Sequence, residues 1–160
     1  GQLGLGGAWQ KLPISVYGRN SASGTYAFFK EHVLQKGDFK DTVKEQPGSA
    51  AVVNSVANDR AAIGYSGIGY KTSDTRAVSL AKTATDEAAE PTFSNALAGK
   101  YPLGRALYIY INARPRQPLD PLVREFLKYV LSKNGQEIVV KDGYGALPAK
   151  AIDKQAALVN

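Results

Sequence analysis

Apolar and polar positions along the chain switch between two periods, and each switch marks a change of element. Residues 14–17, Ile-Ser-Val-Tyr, alternate as a short strand ending at Gly18. Over residues 26–35 the apolar Phe28, Phe29, Val33 and Leu34 recur at helical spacing, and Gly37 stands where a helix C-terminal cap belongs. Pro47-Gly48-Ser49 opens a second helix over residues 50–59, with Ser49 as N-cap and Val52, Val53 and Val56 on one face. Residues 61–65, Ala-Ala-Ile-Gly-Tyr, read as a buried strand; a further strand is expected at 77–80 and a short turn around 93–97. Tyr101-Pro102-Leu103 leads into residues 105–111, whose unbroken apolar stretch with β-branched and aromatic members predicts a central buried strand.

After a Pro-rich link over 114–118, residues 119–132 carry Leu122, Phe126, Tyr129 and Val130 at the spacing of a core-facing helix. Asn134-Gly135 is expected to break it. A shorter helix over 136–140 ends at Gly143, and Leu147-Pro148 closes the regular part before a loose tail. The alternation of strands and helices makes the chain α/β, and no internal repeat is present.

Composition narrows the function. With 160 residues, 44% of them hydrophobic and 21% charged, the chain can bury a core and is not of disordered type. Its longest apolar runs fall far short of the roughly 20 residues of a membrane-spanning helix. A net charge of +6 and a pI near 9.5 favour anions at the surface. The basic residues are scattered, with no stripe on a helix and no run, so nucleic acid is not expected as a partner. The absence of cysteine excludes disulfides, thiolate catalysis and sulfur-ligated metals. Residues 1–7 lack the basic and then apolar segments of a secretory signal.

The chemistry concentrates in Arg19-Asn20-Ser21-Ala22-Ser23-Gly24-Thr25, between a strand end and a helix start. Open α/β sheets present ligands at such junctions. The helix N-terminus carries unpaired N–H groups and a positive dipole end. Gly24 lets an oxygen approach the backbone, Ser21, Ser23 and Thr25 bring hydroxyl donors, and Arg19 offers a planar fork matched to phosphate or sulfate. From the residues alone, an oxyanion cradle and a plain serine cap beside a solvated arginine remain equal alternatives. No Gly-Lys-Ser/Thr follows the glycine, so no nucleotide is implied.

Other candidates are weaker. His32, the only histidine, has no cysteine or nearby carboxylates to join it and reads as a helix-surface residue, so no metal or other cofactor is expected. No base stands near Ser21 or Ser23 to make a nucleophile. The glycine-rich segment 64–70 lacks the third glycine of a dinucleotide loop. Tyr108 and Tyr110 read as core packing, Asp38, Asp59 and Asp74 as solvated loop charges, and Arg105 as a possible source of positive potential.

Arg19-x-x-x-Ser23-Gly24-Thr25 resembles the signature of the phosphate-binding proteins of ABC-type phosphate uptake systems. Further matches follow in that family's order: Ala62-Ile63-Gly64-Tyr65, Tyr101-Pro102-Leu103, Leu131-Ser132-x-x-Gly135-Gln136, Gly143-Tyr144 and Leu147-Pro148. They cover the chain from about Ile14 to Pro148. The resemblance implies a type II periplasmic-binding-protein-like α/β lobe, with a mixed sheet flanked by helices, in an incomplete two-lobe architecture that lacks most of the first lobe. It divides the chain into an N-terminal loop (1–13), a ligand-binding lobe (14–112) and C-terminal helices returning toward the other lobe (113–160). It implies high-affinity capture of inorganic phosphate by Arg19, the Ser23 hydroxyl, the Gly24 N–H, and the Thr25 hydroxyl and N–H, with Ser21 a further candidate donor. The family's acidic residue, which separates phosphate from sulfate, falls in the absent portion. The implied partners are a membrane ABC permease and an N-terminal lobe or second chain that completes the cleft, and the implied location is periplasmic or cell-surface. A phosphatase-like hydrolase and an adhesion or structural protein with a vestigial anion site are the rival readings.

Overall fold

Segments that the sequence makes extended and segments that it makes helical alternate through the first half of the chain, and they assemble around one parallel sheet. The computed structural model describes residues 4–114 and 117–159, and its contacts divide the chain into two units, Gly1–Leu80 and Ala81–Asn160. This boundary falls inside the segment 14–112 that the sequence suggests as one lobe. In the first unit, β1 (Ser15–Arg19), α1 (Gly24–His32), β2 (Lys44–Gln46), α2 (Ser49–Ala57) and β3 (Ala62–Gly64) follow in order. The sheet order is β2-β1-β3, with both pairings parallel. The chain leaves β1 toward one neighbour and then passes back across it to reach the other, so the direction of winding reverses at β1.

The core of this unit forms where small residues let large ones approach. Val52 and Val53 of α2 are its buried aliphatic residues. A Cβ on Gly64 would lie 2.9 Å from both the Tyr17 carbonyl and Val52 Cγ1, so glycine there brings α2 onto β3. A Cβ on Gly18 would fall 2.7 Å from the Tyr65 ring. That ring lies 4.1 Å from Phe29 and 5.8 Å from Phe39, centroid to centroid, which seats α1.

Several expectations change. The helix expected over 26–35 starts earlier, at Gly24, and stops at His32. Its exit is closed by Lys36 N–H donating to the Lys30 carbonyl (2.9 Å) and Gly37 N–H to the Leu34 carbonyl (2.8 Å). Gln35 and Lys36, not Gly37, take the left-handed conformation (φ 51° and 69°). Gly37 serves close approach instead, since a Cβ would lie 2.9 Å from the Leu34 carbonyl. Gly48 takes the N-cap of α2, and Ser49 is its first helical residue. β2 is polar and has no alternation for periodicity to detect. β3 is an edge strand with Ile63 51% exposed, because it has a neighbour on one side only. Residues 77–80 form no strand beyond a single bridging residue, Leu80. All the described sheet strands are parallel, so the antiparallel member of the expected mixed sheet is not among them.

The second unit is helical: α3 (Phe93–Leu97), α4 (Pro121–Leu131), α5 (Lys133–Lys141) and α6 (Ala149–Val159). Asp120 caps α4, accepting from the N–H groups of Leu122 (2.9 Å) and Val123 (3.3 Å). The break after α4 comes at Ser132, which caps α5 through Gly135 N–H (3.2 Å), so Asn134 and Gly135 lie within the first turn of α5 instead of ending a helix. Buried Gln136 donates to the Val130 carbonyl (2.8 Å) and accepts from Leu147 N–H (2.8 Å). Residues after Pro148, expected to be loose, form α6 from good helix formers, with Val159 buried.

The central buried strand expected over 105–111 is absent. The segment lies outside any strand, and Tyr110 is 90% exposed. An apolar strand is buried only when other strands flank it and layers cover both faces, and the described part of this unit supplies helices and a single bridging residue, Ala89. For the same lack of a covering layer, Leu122 on the expected core face of α4 is 80% exposed. Of the Pro-rich link 114–118, Pro115 and Arg116 lie outside the described residues, as do residues 1–3 of the N-terminal loop; within that loop Gly7–Gln10 forms a 3-10 turn carrying exposed Trp9. Among the described residues no helix is long and apolar enough to cross a membrane.

Candidate functional site

Arg19 ends β1 at the point where the winding reverses, so its side chain leaves the carboxyl edge of the sheet. Its Nη1 donates to Ser49 Oγ (3.0 Å) and its Nη2 to the Pro47 carbonyl (3.3 Å), both at the β2–α2 junction. Its Nε is buried and has no acceptor among the described residues. The Tyr65 hydroxyl donates to the Arg19 carbonyl (3.4 Å), which fixes the backbone below the guanidinium; burial pushes the pKa of this hydroxyl up. A charged group with a buried, unanswered N–H is uncommon in folded proteins and calls for an acceptor.

Beyond Arg19 the chain turns through Ser23 N–H, which donates to the Asn20 carbonyl (3.1 Å), and enters α1. Ser23 is buried and is the N-cap: its Oγ accepts from Thr25 N–H (3.1 Å). The plain capping role is therefore real in this structure, and the Thr25 N–H expected to meet an anion is occupied by Ser23 Oγ. The Ser23 hydroxyl proton keeps its donor capacity, and helix geometry leaves the N–H groups of Gly24 and Tyr26 without intrahelical acceptors. Ser21 is exposed and lines an open depression of about 340 Å³ with Tyr26, Ala27, Lys30, Glu31 and Lys36. The Arg19 guanidinium bonds at the β2–α2 junction and Ser23 caps the start of α1; the positive fork and the helix N-terminus each offer donors of the kind an oxyanion takes.

The sequence reading missed Ser49 and Pro47. They stand about thirty residues beyond Arg19, and only Gly48, able to serve as cap itself, hints that the Ser49 hydroxyl has another use. Asp59 is more than a solvated charge. It accepts from Ala61 N–H (3.0 Å) and the Tyr17 hydroxyl (3.4 Å), and hydrogen bonds from the Ser15 side chain and then from Ala61 hold its carboxyl below the ordinary range. Because Ser15 starts β1 and Arg19 ends it, Asp59 belongs to the opposite edge of the sheet from Arg19. Asp38 pairs with Lys30 at 2.8 Å on the surface, which lowers the Asp38 pKa and raises that of Lys30. Exposed His32 lies over Phe28, its Nδ1 3.0 Å from the Phe28 carbonyl.

A parallel α/β unit with an arginine fork and a helix start at the carboxyl edge of its sheet has the layout at which open α/β sheets take ligands. Residues 6–134 match the PBP superfamily domain, and the chain belongs to that superfamily. It is 57% identical over 154 residues to the phosphate-binding protein PstS of Pseudomonas aeruginosa, covering 96% of this chain and 48% of the relative. With the phosphate-binding protein PstS of Staphylococcus aureus it shares 31% identity over 149 residues, 92% of this chain and 44% of the relative. The chain thus spans about half the length of these relatives. Two solved structures share the fold. One is a protein from Clostridium perfringens solved with bound phosphate (TM-score 0.62, 23% identity, 85% of this chain and 53% of that one). The other is a protein from Planctomyces limnophilus (TM-score 0.61, 24% identity, 95% of this chain and 54% of that one).

Proposed function

We propose that this chain is one half of a phosphate receptor: it captures inorganic phosphate reversibly and without covalent chemistry, for delivery to a membrane ABC permease. The observation that carries the proposal is the Arg19 guanidinium, braced by Ser49 and Pro47 with its buried Nε lacking an acceptor among the described residues. Arg19 supplies the charge and the planar fork; the Ser23 hydroxyl, the Gly24 N–H and Thr25 add donors at the start of α1. Ser21 is an auxiliary donor. The other half of the cleft comes from an N-terminal lobe or a second chain, as the twofold length of the relatives suggests. Segment 14–112 forms the ligand-binding lobe and 113–160 returns toward the other lobe.

The reading is non-catalytic. Ser23 Oγ accepts an N–H instead of facing a base, which suits a donor to an anion and not a nucleophile. Periplasmic or cell-surface location follows from the receptor role. Calorimetric titration of phosphate into the chain mixed with the complementary half of a relative tests the proposal, with Arg19→Ala and sulfate as controls. Tight binding that depends on Arg19 and excludes sulfate supports a phosphate receptor. Absence of binding in the completed protein refutes it.

A further inference from the structure

The carboxyl edge of the sheet is tied together by a residue outside the Arg19–Thr25 segment. Ser49 is the first residue of α2, whose N-cap, Gly48, makes no side-chain cap bond. A serine at a helix start ordinarily turns its oxygen back to the helix N–H groups and stabilises it. Here the Ser49 Oγ instead accepts from Arg19 Nη1 at 3.0 Å. Its carbonyl is held from the other side by the Ser66 hydroxyl, which donates to it at 3.0 Å from the loop after β3. Ser66, Ser49 and Arg19 thus link the chain segments that follow β3, β2 and β1.

We infer that Ser49 is a positioning residue: its hydroxyl, with the Pro47 carbonyl, fixes the plane of the Arg19 guanidinium before an oxyanion meets it. The inference rests on the phosphate reading for the identity of the anion, but the hold on the guanidinium stands by itself. Two hydrogen bonds from different nitrogens define the orientation of a planar fork, whereas one leaves it free to swing about the remaining contact. With the plane fixed before the anion arrives, ordering the long arginine side chain costs less on binding.

Nitrogen-15 NMR of the arginine side chain in the 160-residue chain separates the two ideas. Without ligand, the Arg19 Nη protons should be resolved by slow rotation, and Ser49→Ala should merge them while leaving the backbone amide spectrum in place. In a titration with inorganic phosphate followed at Arg19 Nε–H, Ser49→Ala should raise the midpoint about five- to thirty-fold, and Ser49→Thr, which keeps the hydroxyl, should stay within about two-fold. Ser49→Asp is compatible with a helix start and places a carboxylate on the guanidinium, so it should fold and suppress the phosphate response. Unchanged Arg19 signals and midpoint in Ser49→Ala, or equal damage from Ser49→Thr and Ser49→Ala, would overturn the inference. If the unaltered chain gives no phosphate response, the half-site does not bind phosphate by itself, the completed protein decides the phosphate reading, and the Nη signals of Ser49→Ala still decide what Ser49 does.

Discussion

Replacing Arg19 by methionine should separate binding from stability. The side chain keeps much of its length and loses its charge and all its donors. On the stability side, the variant loses the bonds to Ser49 Oγ and the Pro47 carbonyl. Each contributes about 1 kcal/mol net, the second less because it is exposed. It also removes the buried Nε that has no acceptor, whose desolvation costs about 1 to 3 kcal/mol. These terms oppose one another, so the unliganded variant should lie within about 1 kcal/mol of the parent. Binding has no such offset: charge-assisted bonds from the guanidinium contribute about 1.5 to 3 kcal/mol each, so losing two should weaken phosphate binding by more than about a hundredfold. A half-site should itself bind weakly, with a Kd of about 5 mM. At about 50 mM phosphate such a Kd stabilises the chain by about 1.4 kcal/mol, which shifts Tm by about 3 to 6 °C in a protein of this size. The assay is thermal unfolding in phosphate against chloride of equal ionic strength. The parent should show that shift and Arg19→Met none, with similar melting in chloride. A variant that keeps the phosphate shift, or that melts more than about 10 °C lower in chloride, would refute the reasoning and make Arg19 a structural residue.

Other perturbations probe the frame. Ser23→Ala removes the oxygen that caps Thr25 N–H and should cost about 1 kcal/mol in urea unfolding, besides weakening phosphate binding. Gly64→Ala forces a Cβ toward the Tyr17 carbonyl and Val52 Cγ1 and should destabilise by about 2 kcal/mol or more, seen as a lower urea midpoint at unchanged slope. Asp59 has its pKa lowered from 3.8 by folding, so the unfolded chain binds its proton first as pH falls. Its stabilisation is therefore complete above pH 3.8 and is lost as pH falls through the lower folded value; Asp59→Asn should be less stable at neutral pH and show a shallower acid decline in circular dichroism.

Where the sequence was legible, the determinant was local. β1, α1, α2 and β3 all lie where period and glycine placement put them, to within a few residues, because each segment's own pattern agrees with its packing. The anion segment was legible for a similar reason: a strand end, four linking residues and a helix start are contiguous. Ser49 was not, because its role depends on a partner thirty positions away, and a local reading assigns a serine before an apolar run to capping. β2 was missed because pairing to β1, and no hydrophobic pattern of its own, makes it a strand. α6 was missed because a segment after Pro148 reads as a tail unless helix propensity is weighed over its whole length.

On the proposed reading, Ser23, Ser49 and Arg19 set function against local stability in different ways. Ser23 serves the helix first, capping α1, and can meet an anion only with its remaining proton. Ser49 does the reverse, leaving α2 without a side-chain cap in order to hold Arg19. Arg19 keeps a buried donor unanswered. Departures from local consistency are expected where a ligand supplies the missing partner, and these converge on a single guanidinium. Segment 105–111 departs in another way, since its pattern suits a strand enclosed on both faces while its side chains lie exposed. The first departure can be answered by four oxygens, whereas the second needs a protein layer, and on the proposed reading the other half of the receptor brings both the remaining ligand donors and that layer.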